Sequence, residues 1–316
     1  DDFLERMDSK AVNKRVLECL VKTGAFDFSG EPRGSIYHRL EEAMSYAASR
    51  QRDKEAGQHS LFDMPDFDAP EATAASERIF DMSKQFEQVE MLKYEKELLG
   101  FYVSGHPLDE YAGLAEALTN FQIEKLDQLG DKVEFQICGV AMNVITKLSR
   151  KDNRPWAFFN IGTRQGSVMI NCYADGYEES GPNIVNEALV IVKGSVFRNQ
   201  EGVRLSAQEV IPLASNLPGQ IKHITWIIDP EKDTESFFYL YREVLDRSRG
   251  ETTTDIAFKV DGNTLISAST AGSLKWKIVP EDWKKIRDHE AVIGCQIQTQ
   301  PVVLKEKKRR WGKAKV

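Results

Sequence analysis

Lys147, Arg150, Lys151 and Arg154 fall in one short stretch, opposed by Asp152 alone, and the chain then runs directly into Trp156 and Phe158. Cations beside aromatic rings are the ingredients of a groove for a single nucleic-acid strand. The cations track phosphates while bases stack on the rings, each stack contributing roughly 1 to 3 kcal/mol. Small barrels also fill their interiors with aromatics, so for Trp156 and Phe158 the sequence leaves both roles open. A second stretch, Pro65-Asp66-Phe67-Asp68, has the D-x-D form of two-metal sites. Such a pair needs a rigid element beneath it and a third carboxylate, and here it lies among prolines in a segment of little hydrophobic content. No catalytic residue is assigned to it. His106 has no nucleophile or acid pattern around it and reads as a cap or packing residue.

Gly-rich phosphate loops, a Ser/His/Asp order and H-E-x-x-H are all missing from the sequence. Cys19, Cys138, Cys172 and Cys295 lack C-x-x-C spacing and a neighbouring His, which excludes a zinc finger or ribbon. No metal and no cofactor is expected in these residues. The formal charge of -7 argues against a protein that coats nucleic acid with its whole surface. Position matters more than the total: Lys305 to Val316 hold seven Lys or Arg and one acid. That basic tail suits DNA or an acidic partner surface, or is simply solvated. No apolar run approaches the ~20 residues that span a bilayer, so no membrane partner is expected and the chain reads as cytoplasmic. Its start at Asp1 in a helical pattern, without Met, reads as a piece of something longer.

The elements that must position these residues follow from periodicity. Apolar residues from Leu4 to Val21 predict one amphipathic helix ending at Gly24 and capped by Asp8 or Ser9. A turn then leads to a helix over about Ser35 to Arg50. A helix, a Gly turn and a helix can offer the backbone N–H groups of Gly24 and Ala25 to a duplex phosphate, or the glycine can be an ordinary C-cap. Helical pattern returns from Ser76 to Val103 and, briefly, from Leu108 to Leu118. Five strands follow, Phe135 to Thr146, Trp156 to Thr163, Ser167 to Tyr173, Leu189 to Phe197 and Val203 to Ile211, with a possible helix between the third and fourth. That is the order of an OB-fold. Alternation places Phe159 and Ile161 on one face of the second strand and Trp156, Phe158 and Asn160 on the other. The rest reads strand, helix, strand, strand, helix, strand, a small α+β domain. The expected fold class is multidomain α+β. Its parts are a helix-hairpin-helix remnant (1–50), a linker (51–76), a helical connector (77–130), a five-stranded OB barrel (131–214), an α+β domain (217–300) and a basic tail (301–316).

In the linker stands Gln58-His59-Ser60-Leu61-Phe62, two large apolar residues with no core around them. A short anchor in a solvated segment has the form of a peptide that docks into another protein's groove. Local packing of Leu61 and Phe62 is the other reading.

The run Glu95-Lys96-Glu97-Leu98-Leu99-Gly100-Phe101-Tyr102-Val103-Ser104-Gly105-His106-Pro107-Leu108 resembles the alpha subunits of bacterial DNA polymerase III, the family C replicative DNA polymerases, between their catalytic region and OB domain. Asn13-Lys14-Arg15-Val16-Leu17-Glu18 and Thr23-Gly24-Ala25-Phe26-Asp27 are similar to the end of that family's tandem helix-hairpin-helix domain. The resemblance covers the chain to about Ile211, and the remainder by position only. It implies a C-terminal part of a DNA-directed DNA polymerase, a nucleotidyltransferase, whose active site and metal-binding N-terminal domain lie outside these residues. It implies that Gln58, Ser60, Leu61 and Phe62 belong to an internal peptide for the sliding clamp, the beta subunit. Gln58 would bond clamp backbone, and Leu61 and Phe62 would fill an apolar pocket. It further implies single-stranded template DNA at the barrel and the clamp loader tau subunit at the last domain. A free-standing OB-fold single-strand nucleic-acid-binding protein is the alternative. One departure stands at Ile161-Gly162-Thr163-Arg164-Gln165-Gly166, where the family tends to have Leu-x-Asp before Gly. Thr163 can still bond that turn.

Overall fold

The computed structural model describes residues 2–7, 12–55, 84–200, 202–261, 264–268 and 275–304. Gln58 to Phe62, Asp66, Asp68 and the basic tail from Lys305 lie outside the described residues. The chain divides into two units, Asp1–His106 and Pro107–Val316.

The first unit is helical: α1 (Asp2–Arg6), α2 (Lys14–Lys22), α3 (Arg33–Glu55) and α4 (Gln88–Leu99). The single helix expected up to Gly24 is therefore two. The cap of the second is Asn13 rather than Asp8 or Ser9, its side chain accepting the Val16 N–H at 3.0 Å. α2 buries Leu17 and Val21 against Leu40 of α3, the face its spacing marked out. α4 is shorter than its pattern, because residues 85–87 are not helical and Gly100, at φ +85°, closes the helix by donating to the Lys96 carbonyl.

Beyond Gly100 the family-like run folds back on itself. Glu95, fully buried, accepts the N–H groups of Val103 (2.7 Å) and Ser104 (2.9 Å) and a hydrogen bond from Arg33 Nη1 (2.8 Å). Burial pushes the Glu95 carboxyl up, but the Ser104 and Val103 donors and Arg33 outweigh it and hold the group below its ordinary value. His106 packs edge-on against Tyr102, as a packing residue.

In the second unit a 3₁₀ turn (Asp109–Tyr111) and α5 (Leu114–Ala117) precede a closed barrel. Its strands are β1 (Glu134–Leu148), β2 (Pro155–Gly162), β3 (Ser167–Cys172), β4 (Leu189–Asn199) and β5 (Gly202–Pro212). α6 (Ala174–Ser180) fills the connection between β3 and β4. Strand order is β1-β2-β3-β5-β4, with β3 and β5 parallel and the other pairs antiparallel. Phe135, Ile137, Phe159, Ile161, Ile170, Val192 and Leu205 fill the interior. Thr163 does brace the β2–β3 turn: its N–H donates to the Gly166 carbonyl at 2.7 Å, and its hydroxyl accepts from Gln165 N–H at 3.2 Å.

α7 (Leu213–Gln220) leads to a sheet of β6 (Ile221–Ile228), β7 (Arg249–Asp261), β8 (Thr264–Ala268), β9 (Lys275–Trp276) and β10 (Val292–Thr299). Its order is β10-β6-β7-β8, with β9 beside β7. α8 (Thr234–Arg247) and α9 (Pro280–Arg287) complete the domain. The multidomain α+β class holds, yet barrel and sheet are not separate cores. Cys138, Val140 and Ile191, on the outer face of the barrel, join Leu108, Leu114, Leu118, Leu213 and Leu217 in one cluster with Trp226, Trp276 and Trp283. The Trp283 indole N–H donates to the Ala112 carbonyl at 3.0 Å. The stretch expected as one connector, 77–130, is thus divided at His106, its second part belonging to the barrel–sheet core.

Candidate nucleic-acid interface

β2 decides where the aromatics go. Ala157, Phe159 and Ile161 are buried in the barrel, whereas Trp156, Phe158 and Asn160 are half-buried on its outer face. Trp156 and Phe158 therefore do not fill the interior, which resolves the choice the sequence left open. Antiparallel register sets Lys147 opposite Trp156 and Ile145 opposite Phe158, with Asn171 on the far side of Phe158. The Lys147 ammonium lies 4.9 Å from the Phe158 ring centre, a cation–π contact. Trp156 meets Phe158 at 5.8 Å and Tyr173 at 5.9 Å, the latter with ring planes only 26° apart.

Tyr173, 48% exposed, is a further member of this surface, not among the residues singled out from the sequence. Its signal was present, because alternation along the third strand puts it on the outward face. Asp175, in the first turn of α6, had no such signal.

The loop between β1 and β2 is a closed turn. Ser149 N–H donates to the Arg154 carbonyl and Asn153 N–H to the Ser149 carbonyl, both at 2.9 Å, with Asn153 at φ +54°. Lys147, Arg150 and Lys151 are exposed, and none of the three has an ion-pair partner among the described residues. Arg154 differs. It is half-buried, its Nε donating to Asp152 at 2.6 Å and its Nη1 to Asp175 at 2.7 Å. The Ser149 hydroxyl and then Arg154 hold the Asp152 carboxyl down at about 2. Asp152 and Asp175 together keep the Arg154 guanidinium charged. A groove of ≈ 550 Å³ opens here, lined by Lys147, Arg150, Arg154, Trp156, Tyr173 and Asp175.

The helical hairpin is a different matter. Gly24 takes φ +82°, and a Cβ there would lie 2.2 Å from the Arg33 guanidinium, so a side chain at this position would be strained and would have to displace the Arg33–Asp27 pair. Its N–H donates to the Val21 carbonyl (3.1 Å) and that of Ala25 to the Leu20 carbonyl (2.9 Å). The N–H groups that Gly24 and Ala25 would offer to a duplex phosphate are already used in ending α2. In this structure the turn acts as a C-cap, the second of the two roles the sequence allows it.

Burial pushes the Cys138 thiol well up and that of Cys172 to about 12, which keeps both protonated. Among the described residues no group of His, Cys, Asp and Glu could hold a metal ion, and no helix is long and apolar enough to cross a membrane.

Comparison with known proteins follows the two structural units. Residues 135–213 match the family model of an OB-fold nucleic acid binding domain, and residues 1–36 that of a helix-hairpin-helix motif. The DNA polymerase III subunit alpha of Treponema pallidum is 30% identical over 223 residues, 71% of this chain and 18% of the relative. That of Thermus aquaticus is 32% identical over 213 residues, 66% of this chain and 16% of the relative. The chain is a relative of the DNA polymerase III alpha subunits. The alpha subunit of Pseudomonas aeruginosa, 26% identical, covers 89% of this chain, so the likeness to the alpha subunits runs past the barrel into the last α+β domain. The chain spans only 16% to 25% of the length of these three alpha subunits. Among solved structures, the mitochondrial single-stranded DNA binding protein Rim1 of S. cerevisiae is 16% identical. It covers 26% of this chain and 97% of its own, at a TM-score of 0.22 that adds nothing to the assignment.

Proposed function

We propose that this chain is a non-catalytic C-terminal part of a replicative DNA polymerase. In this reading the full-length protein is a DNA-directed DNA polymerase. The present residues hold single-stranded template on the outer face of the barrel, tether the enzyme to its sliding clamp and dock the tau subunit of the clamp loader. The observation that carries the reading is the groove where the stacked rings of Trp156 and Tyr173 lie beside exposed Lys147 and Arg150. It lies on a domain of nucleic-acid-binding type within a relative of the alpha subunits. Cations and outward-facing rings side by side suit a single strand, whose bases are free to stack on them, since a duplex would keep its bases from the rings.

Clamp attachment rests on the residues Gln58, Ser60, Leu61 and Phe62 and on the family resemblance. A tethered polymerase rebinds its primer end from a high effective concentration, and processivity follows. Leu61→Ala combined with Phe62→Ala is expected to abolish binding of the chain to the clamp in surface plasmon resonance, with its circular dichroism unchanged. Undiminished clamp affinity would sink the docking role. Tau docking rests on the alpha-subunit likeness reaching the last domain.

A further inference from the structure

We propose that Arg154 makes no contact with the nucleic acid: it is a positioning residue that fastens the basic loop to α6, so that Arg150 and Lys151 meet phosphates while Trp156 and Tyr173 stay paired for stacking. The inference rests on reading the barrel face as a single-strand site, and it assigns one of the four cations there a different task.

Three observations lead to it. First, Arg154 is half-buried while Lys147, Arg150 and Lys151 are exposed. Second, its guanidinium is engaged by two carboxylates, Asp152 and Asp175, through different nitrogens. The three groups together carry a net negative charge, so a phosphate approaching Arg154 would be repelled and would have to displace a carboxylate. Third, the contacts form two rungs between the same two chain segments. Arg154 reaches Asp175, and Trp156, two residues further on, stacks on Tyr173, two residues before Asp175. Ion pairs this exposed contribute little to folding. Their consequence is geometric: the loop is held before the strand arrives, and less freedom is lost when it binds.

The test titrates fluorescein-labelled oligothymidylate with the full chain across a series of NaCl concentrations. Lys151→Ala is expected to reduce the slope of log affinity against log salt by about 0.7, the value of one single-strand phosphate contact. Arg154→Ala is expected to weaken binding by roughly 5-fold, the low end of one stacking contact, with the wild-type slope retained. Asp175→Asn should weaken binding by a similar factor although it removes a negative charge, and the double variant should be no weaker than Arg154→Ala alone. The indole N–H resonance of Trp156, read without DNA, should move in Arg154→Ala and Asp175→Asn and stay in place in Lys151→Ala. A slope lost in Arg154→Ala as in Lys151→Ala, tighter binding by Asp175→Asn, or an unmoved Trp156 resonance in both variants each overturns the positioning role. If the wild type and Trp156→Ala bind equally and without salt dependence, the single-strand reading of the face fails, and the positioning role falls with it.

Discussion

Arg33 and Arg154 are built alike and do different things. Each is held by two carboxylates, one close in sequence and one from another element: Asp27 and Glu95 for Arg33, Asp152 and Asp175 for Arg154. Arg33 is only 4% exposed and Glu95 fully buried, whereas the Arg154 side chain is 34% exposed and that of Asp175 72%. Water decides the difference. In the first site neither charge can be rehydrated without opening the fold, so the network is structural and holds α2, α3 and the turn after α4 together. In the second, solvent screens the pair, which leaves it weak in energy and useful mainly for placing a loop.

The contrast can be broken most sharply at Glu95. Glu95→Ala strips a buried guanidinium and two backbone N–H groups of their acceptor and is expected to cost roughly 3 to 5 kcal/mol, read as a lower urea midpoint of the helical signal. An unchanged midpoint would mean that the buried network holds nothing together. Its pH dependence has a definite sign. Because the folded-state value of Glu95 lies below the ordinary 4.5, its contribution is complete above that value and is lost as pH falls through the lower folded value. Glu95→Gln should flatten this acid-side loss in melting curves, and an equally steep loss in the variant would assign it to other carboxylates.

Smaller effects are expected at the groove. Replacing Lys147, Arg150 and Lys151 together by Ala should lower the salt slope of single-strand binding by about 2. If the slope stays at the wild-type value in the titration, the loop is only a solvated turn. The smallest effect belongs to Arg154→Ala on folding, a loss of under about 1 kcal/mol in urea denaturation. A loss as large as that of Glu95→Ala would erase the distinction between the two arginines.

The barrel was legible because half of each strand faces a closed interior, which imposes a two-residue period on Val168, Ile170 and Cys172 or on Ala157, Phe159 and Ile161. β7 was legible only in its second half. Thr252 and Thr254 are buried and bonded, to the Ile221 carbonyl and the Tyr241 hydroxyl, so polar residue types concealed a core strand. α7 was hidden by Pro218 within it. The fusion of barrel and sheet was not legible either, since Cys138 and Val140 in β1 are buried on the side that an isolated barrel would turn to water.

The sequence by itself determined the order of the barrel strands, the placing of Trp156 and Phe158 on one shared face of β2, and the gathering of four cations in one loop, because strand alternation and turn chemistry are local rules. Only the tertiary structure decided that the Gly24 and Ala25 N–H groups bond carbonyls of α2, that the face with Trp156 and Phe158 is the outer one, that Tyr173 completes the aromatic surface, and that Arg154 is committed to carboxylates while its three neighbours are not. Those outcomes depend on which acceptor or ring lies nearby in space, and for Tyr173 and Asp175 that is set by the return of β3 alongside β2.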